Sequence, residues 1–281
     1  MILLKRVLLY LFCFLTIAGT AQLRKSIAKI KKRTFSQREI GFFGGASYYI
    51  GDINPRGHFK ASHPAFGIFY RHALSYRYAI RVGFNYGEIS GSDAASGEPD
   101  QLERNLDFKT QILELNTTAE FNFVEYRIGH DRYKFTMFVF AGFAGFYFNP
   151  KANVDGTFVP LRQLHTEDQL KSYPKFQLSI PFGVGLKWNM GDKVGLGIEW
   201  GPRRTFTDYL DDIKGSYPSS VGNEPSGSLT DRTLNGSATP GSMRGNPSTR
   251  DWYFYYGVTL NIKLRDKRKD CHGIGRRARS N

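Results

Sequence analysis

The chain has 281 residues, of which 15% are aromatic and 30 are glycine, and its 39 Lys and Arg against 25 Asp and Glu give a formal net charge of +14. Its mean hydropathy is negative, which excludes a bundle of membrane helices and leaves room for one domain of roughly 200 residues plus loops. A membrane β-barrel stays open, because its strands spend only every second residue on lipid.

At the N-terminus, Lys5 and Arg6 precede an apolar run from Val7 to Ile17, and Ala18-Gly19-Thr20-Ala21 precede Gln22. Charged, apolar and small-residue regions in this order predict a signal peptide over residues 1–21. The run is shorter than the roughly 20 apolar residues a spanning helix needs, so the expectation is export without a helical anchor. Cys13 would leave with the signal. Cys271 then stands alone, without an intramolecular disulfide or thiolate metal site. Residues 22–38 form a basic segment with Arg24, Lys25, Lys29, Lys31, Lys32, Arg33 and Arg38.

Residues 39–265 read as the barrel. Strands are predicted at about 40–51, 65–73, 77–89, 110–123, 134–148, 175–190, 193–201 and 252–265. The third is the clearest, with Tyr78, Ile80, Val82, Phe84 and Tyr86 interleaved with Ala79, Arg81, Gly83, Asn85 and Gly87. One face would meet lipid and the other a polar lumen. The links 52–64, 90–109, 149–174 and 202–251 are long, whereas 74–76, 124–133 and 191–192 are shorter. Outer-membrane barrels turn tightly in the periplasm and loop outside, so both termini are expected in the periplasm. The predicted fold is therefore all-β, an eight-stranded antiparallel transmembrane β-barrel with long extracellular loops. A lumen of that size is filled by side chains.

Four segments depart from the simple pattern. Phe138, Phe140, Ala141, Phe143, Phe146, Tyr147 and Phe148 make the fifth strand apolar on both faces, so polarity does not assign its inward face. Pro181 lacks a ladder donor, which predicts a bulge in the sixth strand. Pro202 to Asp212 mixes aromatics with charges and is expected to continue the seventh strand and fold over the mouth. Residues 216–249, rich in Ser, Gly, Pro and Asn, read as a flexible loop with little structure of its own.

On the clean inward faces lie Arg81, Glu114, Glu120, Lys187, Glu199 and Lys263. Unpaired charges are costly in a narrow lumen, so a salt-bridge network is expected there. Glu120, Lys187 and Lys263 would stand toward the periplasmic end. His58, His63, His72, His130, His165 and His272 form no recognisable triad spacing, so no catalytic residue, metal site or cofactor is assigned and the chain is not expected to be an enzyme. Asp208, Asp211 and Asp212 read as a solvated loop turn, with a divalent-cation site as the alternative. The loop 90–109 is acidic, and a basic tail over 266–281 follows the barrel. Lys29, Lys31, Lys32, Arg33, Lys267, Arg268 and Lys269 are thus candidates for contact with a periplasmic protein or with anionic headgroups. That compartment argues against nucleic acid, and no small-molecule substrate is expected.

Several separated stretches carry a further signal: Gly44-Gly45-Ala46-Ser47-Tyr48-Tyr49-Ile50-Gly51-Asp52-Ile53-Asn54-Pro55, Pro64 to Arg71, Tyr147 to Ala152, Ile180 to Gly185 and Phe206 to Asp212. Together they resemble the PorG-like family of outer-membrane barrels. The resemblance implies a non-enzymatic part of the type IX protein secretion and gliding machinery, anchoring a periplasmic ring of PorK and PorN type. It supplies no catalytic residues. The alternative is a stand-alone surface barrel acting in adhesion or envelope integrity; a lipid-modifying barrel enzyme ranks third.

Overall fold

In the computed structural model the described residues are 36–167, 171–219, 226–236 and 238–265. The signal peptide, most of the first basic segment and the basic tail, with Lys29, Lys31, Lys32, Arg33, Lys267, Arg268 and Lys269, lie outside them. The strands are β1 (Gln37–Ile50), β2 (His63–Ala73), β3 (Tyr78–Ser92), β4 (Asp107–Asn122), β5 (Phe135–Val154), β6 (Thr157–Pro160), β7 (Phe176–Asn189), β8 (Val194–Thr205) and β9 (Trp252–Lys263).

Neighbours pair antiparallel in the order β4-β3-β2-β1-β9-β8-β7-β5, and β4 pairs with β5, so eight strands close on themselves. Closure leaves no open edge in the wall, which is what hydrocarbon demands of a backbone it cannot solvate. Strand β6 adds no stave. It folds back on the end of β5 as a hairpin, from Val154 opposite Thr157 to Lys151 opposite Pro160. At the seam between first and last strands Gly45 faces Gly257, and a Cβ on Gly45 would sit 2.1 Å from the Tyr256 carbonyl oxygen. No larger residue fits that approach without moving backbone.

Alternation sorts the side chains. Along β4, Phe108, Thr110, Ile112, Glu114, Asn116, Thr118 and Glu120 are buried, while Leu113 and Leu115 point outward, the latter 61% exposed. Phe143, Phe176, Leu178, Val184 and Val258 continue an apolar outer wall. In β5 the inward face belongs to Phe138, Phe140, Ala144, Phe146 and Phe148. Polarity could not choose it because both faces are apolar; pairing with β4 fixes it.

Strands β2, β3, β4, β5 and β8 outrun their predicted ends on the long-loop side. There the outward residues become polar, as at Ser90, Lys109, Asn149 and Lys151, so the apolar signal stops while the ladder continues. The expected bulge at Pro181 is absent. Ala141 pairs with Phe182 and Ala144 with Ser179 in one register, so no residue is inserted; pairing with β5 lapses across Gly142–Phe143 and Ile180–Pro181. A missing donor is accommodated by a gap in the ladder rather than by an extra residue.

If the apolar wall faces lipid, Leu115→Arg places a cation near mid-strand and lowers unfolding stability by about 2–4 kcal/mol. The measurement is a urea titration in lipid vesicles, following the folded band on unheated gels. A wall in water would give a change within roughly 0.5 kcal/mol.

Candidate functional site

The inward faces build a layered polar core. Near the short-turn end, Glu120 accepts from Lys187 Nζ at 2.6 Å and from Arg71 Nε at 2.6 Å, while Arg71 Nη1 reaches Glu39 at 2.9 Å. Arg81 donates to both Glu199 oxygens, at 2.7 and 3.2 Å, and its Nη1 lies 3.8 Å from Glu120. All six side chains are buried. Arg81 also lies over the Phe69 and Phe140 rings, and Lys187 over Phe138. One layer further, Glu114 accepts from Asn85 at 2.8 Å, Asn116 at 2.9 Å, Tyr253 at 2.8 Å and Arg203 at 3.2 Å.

The structure thus brings Arg81, Glu120, Lys187 and Glu199 together and sets Glu114 in a layer of its own. Lys263 stands at the short-turn rim, where Nζ donates to the Ile128 carbonyl at 3.4 Å. Arg71, Glu39 and Arg203 were missed. Glu39 and Arg203 fall just outside the predicted strand ends, and Arg71 follows the apolar Phe69 on its face, which hid a position that period-two parity marks as inward.

Both mouths are closed by chain. At the short-turn end the segment 123–134 folds under the barrel: Tyr126 and Ile128 are buried, Tyr126 OH donates to the Trp188 carbonyl at 3.3 Å, and Gly129 N donates to the Gly191 carbonyl at 3.1 Å. At the other end residues 206–213 turn inward after β8. Leu210 and Ile213 join the apolar cluster of Tyr49, Phe108, Phe146, Phe148 and Tyr253.

Carboxylates pin this outer cap. Tyr49 OH donates to Asp211 at 2.5 Å and lies 3.0 Å from Asp251, whose other oxygen accepts from Leu210 N at 2.9 Å. Asp212 accepts from Thr166 and Tyr173, each at 2.6 Å. Asp208, Asp211 and Asp212 are therefore buried rather than a solvated turn. Described residues of 216–249 make contacts with the cap and with β5. Ser216 bridges Met243, the short helix α1 (Ser226–Thr230) seats Leu229 against Ala152 and Leu161, and buried Arg244 donates to the Asp212 carbonyl and to Glu167. Polar composition concealed order that hydrogen bonds to the cap supply.

Burial holds the Asp208 carboxyl up to about 7, with Asp52 adding to the rise and Arg250 opposing it. Burial raises Asp211 and Asp251 well above the usual carboxylate range, with Asp52 adding to the first and Asp211 to the second. No group of three or more potential ligands that could hold a metal occurs among the described residues. His58 bonds the Tyr48 hydroxyl, and His63 bonds Ser90 and Glu88 on the outer wall.

Residues 6–273 match a family model described as a domain of unknown function, DUF6089. The chain belongs to the DUF6089 family. No curated protein matches it. Solved structures similar to this DUF6089 chain include Neisserial surface protein A, with TM-score 0.40 and 6% identity over 82% of this chain and 97% of the other. Another is the N-terminal β-barrel domain of Pseudomonas aeruginosa OprF, with TM-score 0.36 and 10% identity over 82% and 100%. A third is Ail, the attachment invasion locus protein of Yersinia pestis, in complex with the heparin analogue sucrose octasulfate, with TM-score 0.37 and 10% identity over 82% and 97%.

Two outcomes follow from the DUF6089 barrel's core and cap. Glu120→Ala leaves Lys187 and Arg71 without their shared counter-charge and destabilises the barrel by about 3–5 kcal/mol, whereas Glu120→Gln with Lys187→Met recovers most of that loss in the same titration. The cap responds to pH. Opened carboxylates ionise near 3.9, so groups held higher when closed bind more protons in the closed state, and its stability falls as pH rises from about 4 through about 7. Amide exchange at Leu210 and Ile213, corrected for the intrinsic rate, should therefore speed between pH 5 and 8, and Asp208→Asn should flatten the response.

Proposed function

We propose that the chain is an outer-membrane β-barrel that anchors or stabilises the periplasmic ring of the type IX protein secretion and gliding machinery. Outer-membrane lipid surrounds its wall, and ring proteins of PorK and PorN type are its partners. The lumen carries this reading over a pore. Paired charges, stacked phenylalanines and chain folded over both mouths support a part that holds position rather than one that passes solute. The anchor role itself draws on no catalytic group, metal or cofactor.

The resemblance to PorG-like barrels points to the machine, and the charge of the short-turn end supports a docking face there. Leu264 N donates to the Arg38 carbonyl, so the chain enters and leaves the barrel side by side at that end. Exposed Arg77, Arg132, Lys134 and Lys193 outnumber exposed Asp131 and Asp192 on the same rim. The basic segments before and after the barrel continue from this rim, which suits an acidic periplasmic surface.

Photocrosslinkers placed at Arg77, Arg132 and Lys193 in intact cells provide the test. The expected result is capture of a ring component from the rim, with none from a control position at Ser248 on the opposite loops. Recovery of no ring component from the rim would sink the anchor reading and leave a stand-alone surface barrel.

A further inference from the structure

The outer wall carries an arrangement that the anchor role does not use. Glu88 and Ser90 are two residues apart on β3, so both side chains leave the same, outward face. His63 opens β2 beside them. Its Nε2 lies 2.7 Å from Ser90 Oγ and its Nδ1 lies 3.2 Å from Glu88 Oε1. The tautomer with the proton on Nδ1 satisfies both contacts: that nitrogen donates to the carboxylate and Nε2 accepts from the serine hydroxyl. Nucleophile, base and orienter thus stand in the order that acyl transfer requires. The imidazole is 29% exposed and the carboxylate 16%, so the set is shielded yet reachable.

A fourth group and a cavity complete it. Lys109 is the direct cross-strand partner of Ser90, with Nζ 2.7 Å from Glu88. An ammonium has three protons, so protons remain to face a developing oxyanion beside Ser90. His63, Ser90 and Lys109 line a cavity of about 640 Å³ that also includes Asn105, Phe158 and Arg232. Its size suits a small-molecule group. Directly along β3 from Glu88, the outward residues are Tyr86, Phe84, Val82 and Ile80, the apolar part of the wall. The set therefore stands where the apolar band ends and the polar rim begins, the level at which a lipid presents its acyl ester.

We propose that Ser90, His63 and Glu88 form a serine-hydrolase triad on the barrel's outer wall that cleaves an acyl ester of a membrane lipid, with Lys109 stabilising the oxyanion. Ser90 Oγ attacks the ester carbonyl carbon as His63 Nε2 takes the hydroxyl proton, giving a tetrahedral oxyanion opposite Lys109. The ester C–O bond breaks, His63 returns the proton to the leaving alcohol, and the acyl group stays on Ser90. Water, deprotonated by His63, then attacks that acyl carbon. Its bond to Oγ breaks, Ser90 regains a proton, and ester plus water has become alcohol plus fatty acid. The acyl chain lies along Phe84 and Val82 while the headgroup occupies the cavity beside Lys109 and Arg232.

This inference rests on the membrane placement of the barrel and is independent of the ring-anchor role. The test uses the full chain refolded in detergent micelles and in phosphatidylethanolamine vesicles, with a fluorophosphonate probe and acyl-labelled lipid. The expected result is covalent labelling and release of labelled fatty acid by the wild type. Ser90→Ala should abolish both, and His63→Gln should lower both by roughly a hundredfold or more, with each variant still giving the folded band on unheated gels. Lys109→Met should lower kcat with little change in KM, which loss of a merely structural contact would not do. Labelling that survives Ser90→Ala, or an unlabelled folded wild type, would overturn the triad. Labelling at Ser90 with turnover of a soluble short-chain ester but not of lipid would overturn the lipid substrate while leaving the nucleophile standing.

Discussion

A barrel of eight strands encloses too little space for bulk water, and most of the molecule follows from that constraint. Each inward charge must find its counter-charge among its neighbours, because breaking a buried pair costs several kcal/mol. Glu120 meets this requirement for two strands at once, taking Lys187 from β7 and Arg71 from β2. Arg81 ties β3 to Glu199 on β8 and approaches Glu120. The Arg81–Glu199 pair crosses the lumen between opposite staves, and each of Glu120's pairs with Lys187 and Arg71 skips one stave, where ladder hydrogen bonds link only adjacent ones. The phenylalanines of β5 fill what the charges leave.

The same economy of space governs the two ends. The barrel closes its mouths with its own connections, each by a different device. At the short-turn end an aromatic and an aliphatic residue, Tyr126 and Ile128, are buried beneath the staves. At the long-loop end the closing segment brings carboxylates into the mouth, and the Tyr49 hydroxyl sits between Asp211 and Asp251, donating to the first. The stretches that carry the family resemblance supply Tyr49, Asp211 and Asp212, so part of that sequence signature is the cap itself.

Period-two alternation made the barrel, its strand count and its inward faces legible, because lipid on one side and a crowded lumen on the other impose opposite demands on successive residues. It failed where those demands lapse. Past Ser90 and before Thr110 the outward face of the wall turns polar, so the ladder extends to Ser92 and back to Asp107 without announcing itself. The polar stretch 216–249 hid buried Arg244 and Leu229 because composition records solubility, not the partners that the mouth provides. Arg81, Glu114, Glu120, Lys187 and Glu199 could be read as inward from parity alone. Arg71 shares that parity but was hidden beside Phe69, and Glu39 and Arg203 lay just beyond the predicted strand ends. The contact of His63 with Ser90 and Glu88 was illegible for a simpler reason: Ser90 lies 27 residues away in sequence, across a hairpin whose pairing no spacing rule encodes.

The length of β5 has an architectural consequence. Its 20 residues span about 66 Å along the strand, and a tilt near 45° still leaves roughly 45 Å of height, against an apolar belt of about 25 Å. On the proposed placement the barrel therefore rises well clear of the hydrocarbon, like a chimney through a roof. The cap then sits at its rim, above the acyl chains, and a large particle approaching from outside would meet it before it could touch the lipid.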